Sequence, residues 1–157
     1  MNHSQLDNFR ILKTLGSGYS GKVKLGQDMT SGNSFALKII LPDHDSVDTI
    51  LQSLKNKFDI LKNIDHPSVV KMFDLKKGVY TSHKTKQKKD VIYAIVELVS
   101  GGEIFDFIFH TKGLDEDISK YYFRSLVQTL ADLHKDQLTH RDLKPENILI
   151  TAEGQPV

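Results

Sequence analysis

The chain has 157 residues, the size of one domain, and its 21 Lys and Arg nearly balance 20 Asp and Glu, giving a formal charge of +1. A near-neutral chain has no overall field that would attract nucleic acid or an anionic membrane surface. The absence of cysteine excludes disulfides, a thiolate nucleophile and cysteine-ligated metal sites, and fits a reducing, cytoplasmic setting. The polar start, Met1 to Arg10, and the short apolar run from Val91 to Val99 predict neither a signal peptide nor a membrane-spanning helix.

The first third of the chain has short β-rich segments separated by glycine-containing turns, a pattern typical of sequential antiparallel strands. Three strands are predicted here: Phe9–Leu15, Lys22–Asp28 and Ser34–Ile40. From Ser46 the apolar spacing becomes helical. Its apolar positions are Val47, Ile50, Leu51, Leu54, Phe58, Leu61 and Ile64. Proline at position 67 blocks continuation, so the helix is expected to end before His66-Pro67.

A basic segment lies between the two next predicted strands, Val69–Leu75 and Val91–Val99. From Lys76 to Asp90 it contains six lysines and one aspartate, a local net charge of +5. The favoured interpretation is a solvent-exposed hairpin whose lysines protect the strand edges. A phosphate site or an acidic partner is the open alternative, and a nucleic-acid module is not expected.

Two helices are predicted after Gly101-Gly102 ends the fifth strand. The first is Glu103–His110, and the second begins at Asp115-Glu116-Asp117. These carboxylates suit a helix N-terminus, so a helix cap is favoured over a metal site. Apolar residues then recur at helical spacing, at Ile118, Tyr122, Leu126, Leu130 and Leu133. Tyr121, Tyr122 and Phe123 are expected to pack in the core rather than to stack on a ligand.

Gly16, Gly18 and Gly21 form a G-x-G-x-x-G pattern followed by Val23. A dinucleotide site would need a helix after these glycines, but a strand follows them. A glycine hairpin can instead let backbone N–H groups approach a phosphate closely. On the third strand, Ala36 and Lys38 are two residues apart and share a face. A small residue there leaves space for a planar base, and an ammonium offers phosphates a counter-charge.

The segment His140-Arg141-Asp142-Leu143-Lys144-Pro145-Glu146-Asn147 follows the second amphipathic helix. Phosphoryl transfer to an alcohol requires a carboxylate that accepts the hydroxyl proton, a cation near the moving phosphoryl group and an oxygen ligand for Mg²⁺. Asp142, Lys144 and Asn147 supply one of each. With the glycine hairpin and strand lysine, the chain from Phe9 to Val157 resembles the eukaryotic protein kinase family.

The resemblance implies an α+β, protein-kinase-like fold in two parts. Residues 9–99 would form a five-stranded antiparallel small lobe with one long helix, and residues 100–157 the first helices and catalytic loop of a helical large lobe. Lys144, two places after Asp142, is similar to the Ser/Thr version of this loop. The run from Glu97 to Phe107 resembles the calcium/calmodulin-dependent and AMP-activated kinase branch. ATP and Mg²⁺ are the implied cofactors, and protein Ser or Thr hydroxyls the implied acceptors.

The resemblance also assigns residues. Adenine is expected between Leu15, Val23, Ala36 and Leu149, and the phosphates at Gly16, Gly18, Gly21 and Lys38. Glu97 and Val99 would offer hinge backbone groups, Val96 would be the gatekeeper, and Glu103 would hold the ribose. Asp142 would be the catalytic base, Lys144 would contact the γ-phosphate, and Asn147 would ligate Mg²⁺.

Two departures from the family pattern stand out. Lys57 occupies the position where active kinases have the glutamate that pairs with the strand lysine, and two like charges would oppose that arrangement. The sequence also ends at Val157, before the Asp-Phe-Gly segment expected to supply a second metal ligand. We therefore expect an N-terminal kinase fragment with an exposed apolar face. The alternative is a truncated kinase or pseudokinase that binds nucleotide or a partner without transferring phosphate.

Overall fold

The computed structural model describes residues 3–18, 21–40 and 47–157, without the side chains of Val47 and Lys57. Ser46, where the long helix was predicted to begin, lies outside the described residues. The chain divides into two compact units. The first comprises residues 1–65 and 71–98, and the second residues 66–70 and 99–157.

The first unit is built on an antiparallel sheet in the order β1-β2-β3-β4-β6-β5. Its strands are β1 Ser4–Leu6, β2 Phe9–Gly18, β3 Gly21–Asp28, β4 Ser34–Ile40, β5 Met72–Thr81 and β6 Lys88–Val96. The five predicted strands are present, and β1 adds a short sixth that also pairs with β5 through Gln5–Thr81 and Leu6–Tyr80.

The boundaries of β5 and β6 differ from the prediction. Val69 donates its N–H to the His66 carbonyl in a turn after Pro67, so β5 begins at Met72 and continues through the first lysines of the basic segment to Thr81. β6 begins early, at Lys88, and ends at Val96 rather than Val99. The lysine-rich segment is therefore mostly paired strand, because cross-strand hydrogen bonds tolerate lysines that reach solvent.

A turn after β1 ties this short strand to the sheet. Asp7 accepts hydrogen bonds from the Val79 N–H and from the Tyr93 hydroxyl, each at 2.9 Å. Tyr93 is fully buried, and burial together with the Asp7 carboxylate raises the pKa of its hydroxyl. The buried Tyr93 hydroxyl thus has a hydrogen-bond partner in the carboxylate of the exposed Asp7.

The core of the first unit lies on one face of the sheet. On β4, the core residues Leu37 and Ile39 alternate with Ala36 and Lys38, as the two-residue period of a strand requires. The other buried members are Leu6, Phe9, Ile11, Val91, Tyr93 and Ile95. Helix α1, Val47–Lys62, packs on β5 and β6 and buries Phe58.

The second unit contains helix α2, Ile104–Thr111, helix α3, Glu116–Lys135, and a 3₁₀ turn at Pro145–Asn147. Its buried residues are Ile104, Ile148 and Ile150, packed by Ile108, Leu114, Tyr122 and Leu126. The cap prediction is confirmed, because the Asp115 side chain accepts the Ile118 N–H at 2.9 Å. Among the described residues, no helix is long and apolar enough to cross a membrane.

One packing prediction for α3 was wrong. Tyr122 packs on the core, but Phe123 is 68% exposed and Tyr121 is 42% exposed. Three consecutive residues span about 200° of the helix circumference, at about 100° per residue. A small core on one side of the helix therefore cannot bury all three. Phe109, Ile118 and Val127 of the second unit are also exposed.

Candidate active site

The glycine pattern forms the hairpin that joins β2 to β3. Gly16 pairs with Val23 and Gly18 with Gly21. The register shifts between Thr14 and Gly16, so Leu15 is an extra residue on β2, and it is 41% exposed. A bulge of this kind redirects a strand locally and changes where its side chains point.

Gly16 and Gly21 differ in whether the backbone and its surroundings require glycine. Gly21 has φ of 133°, and a Cβ there would lie 2.1 Å from the Ile39 carbonyl oxygen on β4. A Cβ on Gly16 would meet nothing within 4 Å, and its φ is not in the left-handed region. The fold therefore requires glycine at position 21. At position 16 a larger residue would fit without a clash, so the fold does not require glycine there.

We expect the substitution Gly21→Ala to lower the free energy of unfolding by roughly 2–4 kcal/mol, from left-handed strain and the clash with β4. Gly16→Ala, the matched control, should change it by less than about 0.5 kcal/mol. Urea denaturation of both variants measures the difference. Equal destabilisation by the two substitutions would contradict this assignment.

The strand register gathers small and apolar residues around Lys38. Val23 and Ala94 are its cross-strand partners, and the neighbouring row pairs Ala36 with Leu25 and Val96. This face is opposite the core residues Leu37 and Ile39. Lys38 is exposed and forms no ion pair with any other residue in the described ranges. Its ammonium is thus available to an anion that reaches this face.

The segment after β6 leaves backbone groups unused. Glu97 donates its N–H to the Lys71 carbonyl at 2.9 Å, and its carboxylate accepts the Lys71 N–H at 3.0 Å. Within the part of the chain that the structure describes, the Glu97 carbonyl accepts no backbone hydrogen bond and the Val99 N–H donates none. A planar base with its own donor and acceptor could satisfy such groups.

In the second unit, Glu103 and Leu149 are neighbours across an isolated antiparallel bridge. Glu103 precedes α2 as its N-cap residue, but its side chain makes no capping hydrogen bond. Burial raises the pKa of its carboxyl group, and the Asp106 and Glu146 carboxylates add to the rise. The Glu103 carboxylate is half-buried, lies near the Asp106 and Glu146 carboxylates and makes no capping hydrogen bond. It is therefore suited to accept hydrogen bonds from the hydroxyl groups of a ligand.

The substitution Glu103→Gln should raise stability at neutral pH and weaken ATP binding. A carboxyl group whose pKa is raised in the folded state favours folding at acidic pH, and that contribution is lost as the pH rises through the folded-state pKa. The stability advantage of the Gln variant should therefore appear above this pKa and shrink in acid. Thermal unfolding and ATP titration across pH 4–8 would measure both effects, and a variant less stable at pH 7 would contradict the prediction.

The catalytic-loop candidates converge on Asp142. Asn147 donates its amide N–H to the Asp142 carbonyl at 2.8 Å and to carboxylate Oδ2 at 2.9 Å. The Lys144 ammonium lies 3.4 Å from Oδ1. Arg141 adopts the left-handed conformation with φ of 66°, a local strain that recurs at functional sites.

These contacts keep Asp142 ionised and accessible. The Asn147 hydrogen bond, followed by Lys144, lowers the pKa of Asp142. Its side chain is 67% exposed, and a carboxylate has about four lone-pair directions, so it can still accept a proton donor from solvent. The arrangement can orient a hydroxyl group beside a lysine cation.

Asn147 could supply one oxygen ligand to Mg²⁺. Its amide nitrogen donates to Asp142, and no donor among the described residues contacts its oxygen Oδ1. Mg²⁺ prefers oxygen ligands and commonly takes one or two from the protein, with the rest from phosphates and water. The described residues contain no cluster of three or more Asp, Glu, His or Cys side chains that could hold a metal ion. A magnesium ion at Asn147 would therefore need ligands from phosphates and water.

Gly101 is a site-forming residue that the sequence prediction treated only as a strand breaker. A Cβ there would lie 2.3 Å from the Ile150 carbonyl oxygen, and its N–H donates to that oxygen at 2.8 Å. Together with the Ile104 N–H bond to the Ile148 carbonyl, this contact fixes the segment after Asn147 beside Glu103. The signal in the sequence was the Gly101-Gly102 pair.

The predicted site residues thus form two sets. The first unit holds Leu15, Gly16, Gly18, Gly21, Val23, Ala36, Lys38, Val96 and Glu97, and the second holds Val99, Glu103, Asp142, Lys144, Asn147 and Leu149. Strand pairing positions most members of the first set. The 3₁₀ turn and the bridge to Glu103 position most of the second.

The glycine hairpin of the first unit and the Asp142–Asn147 loop of the second are the features by which the sequence resembles protein kinases. The family model "Protein kinase domain" matches residues 9–157, and the chain belongs to this family. The predicted α+β kinase fold is confirmed.

The similar relatives are Ser/Thr protein kinases. The chain is 36% identical over 154 residues to serine/threonine-protein kinase cds1 of Schizosaccharomyces pombe, covering 96% of this chain and 31% of that protein. It is 32% identical over 151 residues to CBL-interacting protein kinase 9 of Oryza sativa subsp. japonica, covering 96% and 31%. Against CBL-interacting serine/threonine-protein kinase 9 of Arabidopsis thaliana it is 34% identical over 151 residues, covering 96% and 32%. The chain therefore spans about a third of the length of these curated relatives.

Proposed function

We propose that this chain carries the ATP-binding and catalytic-loop residues of a Ser/Thr protein kinase, which transfers the γ-phosphoryl group of ATP to a protein hydroxyl. The observation that carries the proposal is the geometry around Asp142. Its carboxylate is oriented by Asn147, paired with Lys144 and open to solvent.

In this proposal Asp142 orients the acceptor hydroxyl and accepts its proton. The Lys144 ammonium offsets the charge on the transferring phosphoryl group. Asn147 provides one oxygen ligand to Mg²⁺, which when bound neutralises charge on the ATP phosphates. Because Asn147 contacts Asp142 directly, a ligand position and the hydroxyl-orienting group would be fixed by one hydrogen bond.

The remaining predicted residues would bind the nucleotide. Val23 and Ala36 would offer apolar surface to the base. Lys38, which forms no ion pair with the described residues, would offer its ammonium to the phosphates, and the open space beside Gly16 would let them approach the backbone. The unused carbonyl of Glu97 and N–H of Val99 suit hydrogen bonding to adenine. Glu103 would accept the ribose hydroxyls.

A second candidate function is nucleotide or partner binding without phosphoryl transfer. The observation that favours it is Lys57, which stands where the family pattern has the glutamate partner of Lys38. In active kinases this ion pair must be in place for turnover. The Lys57 side chain lies outside the described part of the chain, so its placement is left to experiment.

Two measurements on the full-length polypeptide that carries this sequence test the proposal. Isothermal titration with ATP, with and without Mg²⁺, measures nucleotide binding, and transfer of labelled γ-phosphate to a generic Ser/Thr protein substrate measures catalysis. The kinase proposal expects magnesium-dependent binding and transfer to Ser or Thr. Binding without transfer would favour the second candidate. The absence of ATP binding would contradict the kinase proposal and the nucleotide-binding form of the second candidate.

A further inference from the structure

A cavity of about 300 Å³ lies on the first unit, away from the candidate nucleotide face. Its lining includes Lys22, Lys24, Lys89, Tyr80, Ser82 and Thr85, with Ile39 at its apolar side. The volume is at the lower end of the range for small-molecule sites in proteins. None of the candidate nucleotide-binding or catalytic-loop residues lines this cavity.

Strand register explains why these lysines converge. Lys22 pairs with Ile39 and Lys24 with Leu37, so both lysines are on the face that carries the core. Tyr80 pairs with Lys89, and Tyr80 itself packs against the core cluster. Val23 alternates to the opposite face with Lys38, so the cavity and the candidate nucleotide face are on opposite sides of the sheet.

The cavity is cationic and rich in donors. Three lysines line it, and none of the described residues that line it has a carboxylate. Lys24 donates to the Thr14 hydroxyl at 2.6 Å, which leaves two of its three N–H donors.

The hairpin tip adds hydroxyl donors. Ser82 Oγ accepts the Thr85 N–H at 3.3 Å, and Thr85 Oγ1 accepts the Gln87 N–H at 3.4 Å. A hydroxyl that accepts a backbone N–H keeps its own proton for another partner. The tip is closed by backbone hydrogen bonds between Ser82 and Gln87 and between Lys86 and Ser82, at 3.0 and 2.9 Å, so these hydroxyls are held in one loop geometry.

We propose that this cavity binds a phosphate monoester carried by a polypeptide, namely a phosphorylated Ser or Thr side chain. A doubly charged phosphate with acceptor oxygens matches three ammonium groups and several hydroxyl donors. The apolar surface of the partly buried Tyr80, beside the buried Ile39, matches the carbon atoms of the phosphorylated residue, which free phosphate lacks. The basic segment from Lys76 to Asp90 contributes Lys89 and the hydroxyl residues Ser82 and Thr85 to this site, and β3 contributes Lys22 and Lys24.

Fluorescence anisotropy with a labelled phosphoserine peptide, its unphosphorylated twin and inorganic phosphate as competitor tests the proposal on the full-length polypeptide. The test variant is Lys22→Ala/Lys89→Ala. The control is Lys84→Ala/Lys86→Ala, which removes the same charge from exposed lysines outside the cavity lining. Thermal unfolding of each variant verifies folding, and Lys22→Gln/Lys89→Gln replaces any variant that fails to fold.

The proposal expects phosphopeptide binding that weakens by about tenfold or more in the test variant and by less than about twofold in the control. Excess ATP should not displace the peptide. The proposal is overturned by any of three results: equal loss in both variants, displacement by ATP, or no preference for the phosphorylated peptide. Inorganic phosphate competing as well as the phosphopeptide would overturn the assignment to a phosphorylated side chain.

Discussion

Replacing Asp142 with asparagine should lower ATP-dependent protein phosphorylation by about 10²–10⁴-fold, the contribution typical of a positioned general acid or base. Asparagine keeps the size of the side chain but removes the charge that accepts a hydroxyl proton. It also ends the attraction to Lys144, which lies 3.4 Å from Oδ1. Initial rates with labelled ATP and a protein substrate, in the full-length polypeptide that carries this sequence, measure the effect.

Asp136→Asn is the matched control, because it makes the same chemical change at an exposed residue after α3, outside the catalytic loop. Its rate should stay within about twofold of the unsubstituted protein. ATP affinity should be unchanged in both variants, since Asp142 acts on the acceptor hydroxyl and not on the nucleotide. A similar rate loss in the two variants, or a loss explained by ATP affinity alone, would argue against Asp142 as the base.

The pH dependence follows from the direction of the Asp142 pKa. Asn147 and Lys144 lower this pKa from its ordinary value of 3.8, so the carboxylate is ionised across the neutral range. Protonation of Asp142 should therefore not lower the rate of phosphorylation as the pH falls from 7 to 5. A lowered pKa weakens a base but keeps it charged, which suits orientation of a hydroxyl more than full removal of its proton.

The sequence predicted the candidate site best where the functional residues are close together in the chain. Asp142, Lys144 and Asn147 lie within six positions, and the 3₁₀ turn at Pro145–Asn147 brings the Asn147 amide to the Asp142 carboxylate. The shared face of Ala36 and Lys38 also follows from local geometry, because a strand alternates its side chains whatever its partners are. Such features depend on backbone period and not on how distant segments meet.

The sequence was least informative where distant strands define the environment. Gly16 and Gly21 look equivalent in the motif, yet only Gly21 lies against the Ile39 carbonyl on the next strand. Strand β1 has three residues, too few for a periodic signal, and its pairing with β5 is visible only in the fold. The cavity lysines Lys22 and Lys89 are 67 positions apart, so their juxtaposition required strand register.

Charge pattern predicted a basic segment but not its organisation. Alternation places Lys89 beside Tyr80 on the core-bearing face, while Lys84 and Lys86 remain at the hairpin tip, exposed to solvent. The same six lysines thus divide into groups with different neighbours. A count of charges along the chain cannot separate these groups, because separation depends on which face each residue occupies.

Replacing Lys57 with glutamate should raise ATP-dependent turnover by roughly tenfold, because the family pattern has at this position a carboxylate that pairs with the strand lysine, here Lys38, and about 1.4 kcal/mol corresponds to tenfold in rate. The expectation comes from the family position of Lys57 and from the absence of an ion pair of Lys38 among the described residues. The backbone of Lys57 lies in α1, directly before Phe58, which is buried. Steady-state rates and ATP affinity in the full-length polypeptide measure the gain.

The control is Lys55→Glu, which makes the same charge change at an exposed position of α1 and should leave turnover within about twofold. The double substitution Lys57→Glu/Lys38→Met should lose the gain, because the new carboxylate would have no ammonium to pair with. If Lys55→Glu gives the same increase, the effect is general charge and not an ion pair. If Lys57→Glu leaves turnover unchanged while ATP still binds, the lysine at this position does not limit catalysis, and the argument for a purely binding role loses its basis.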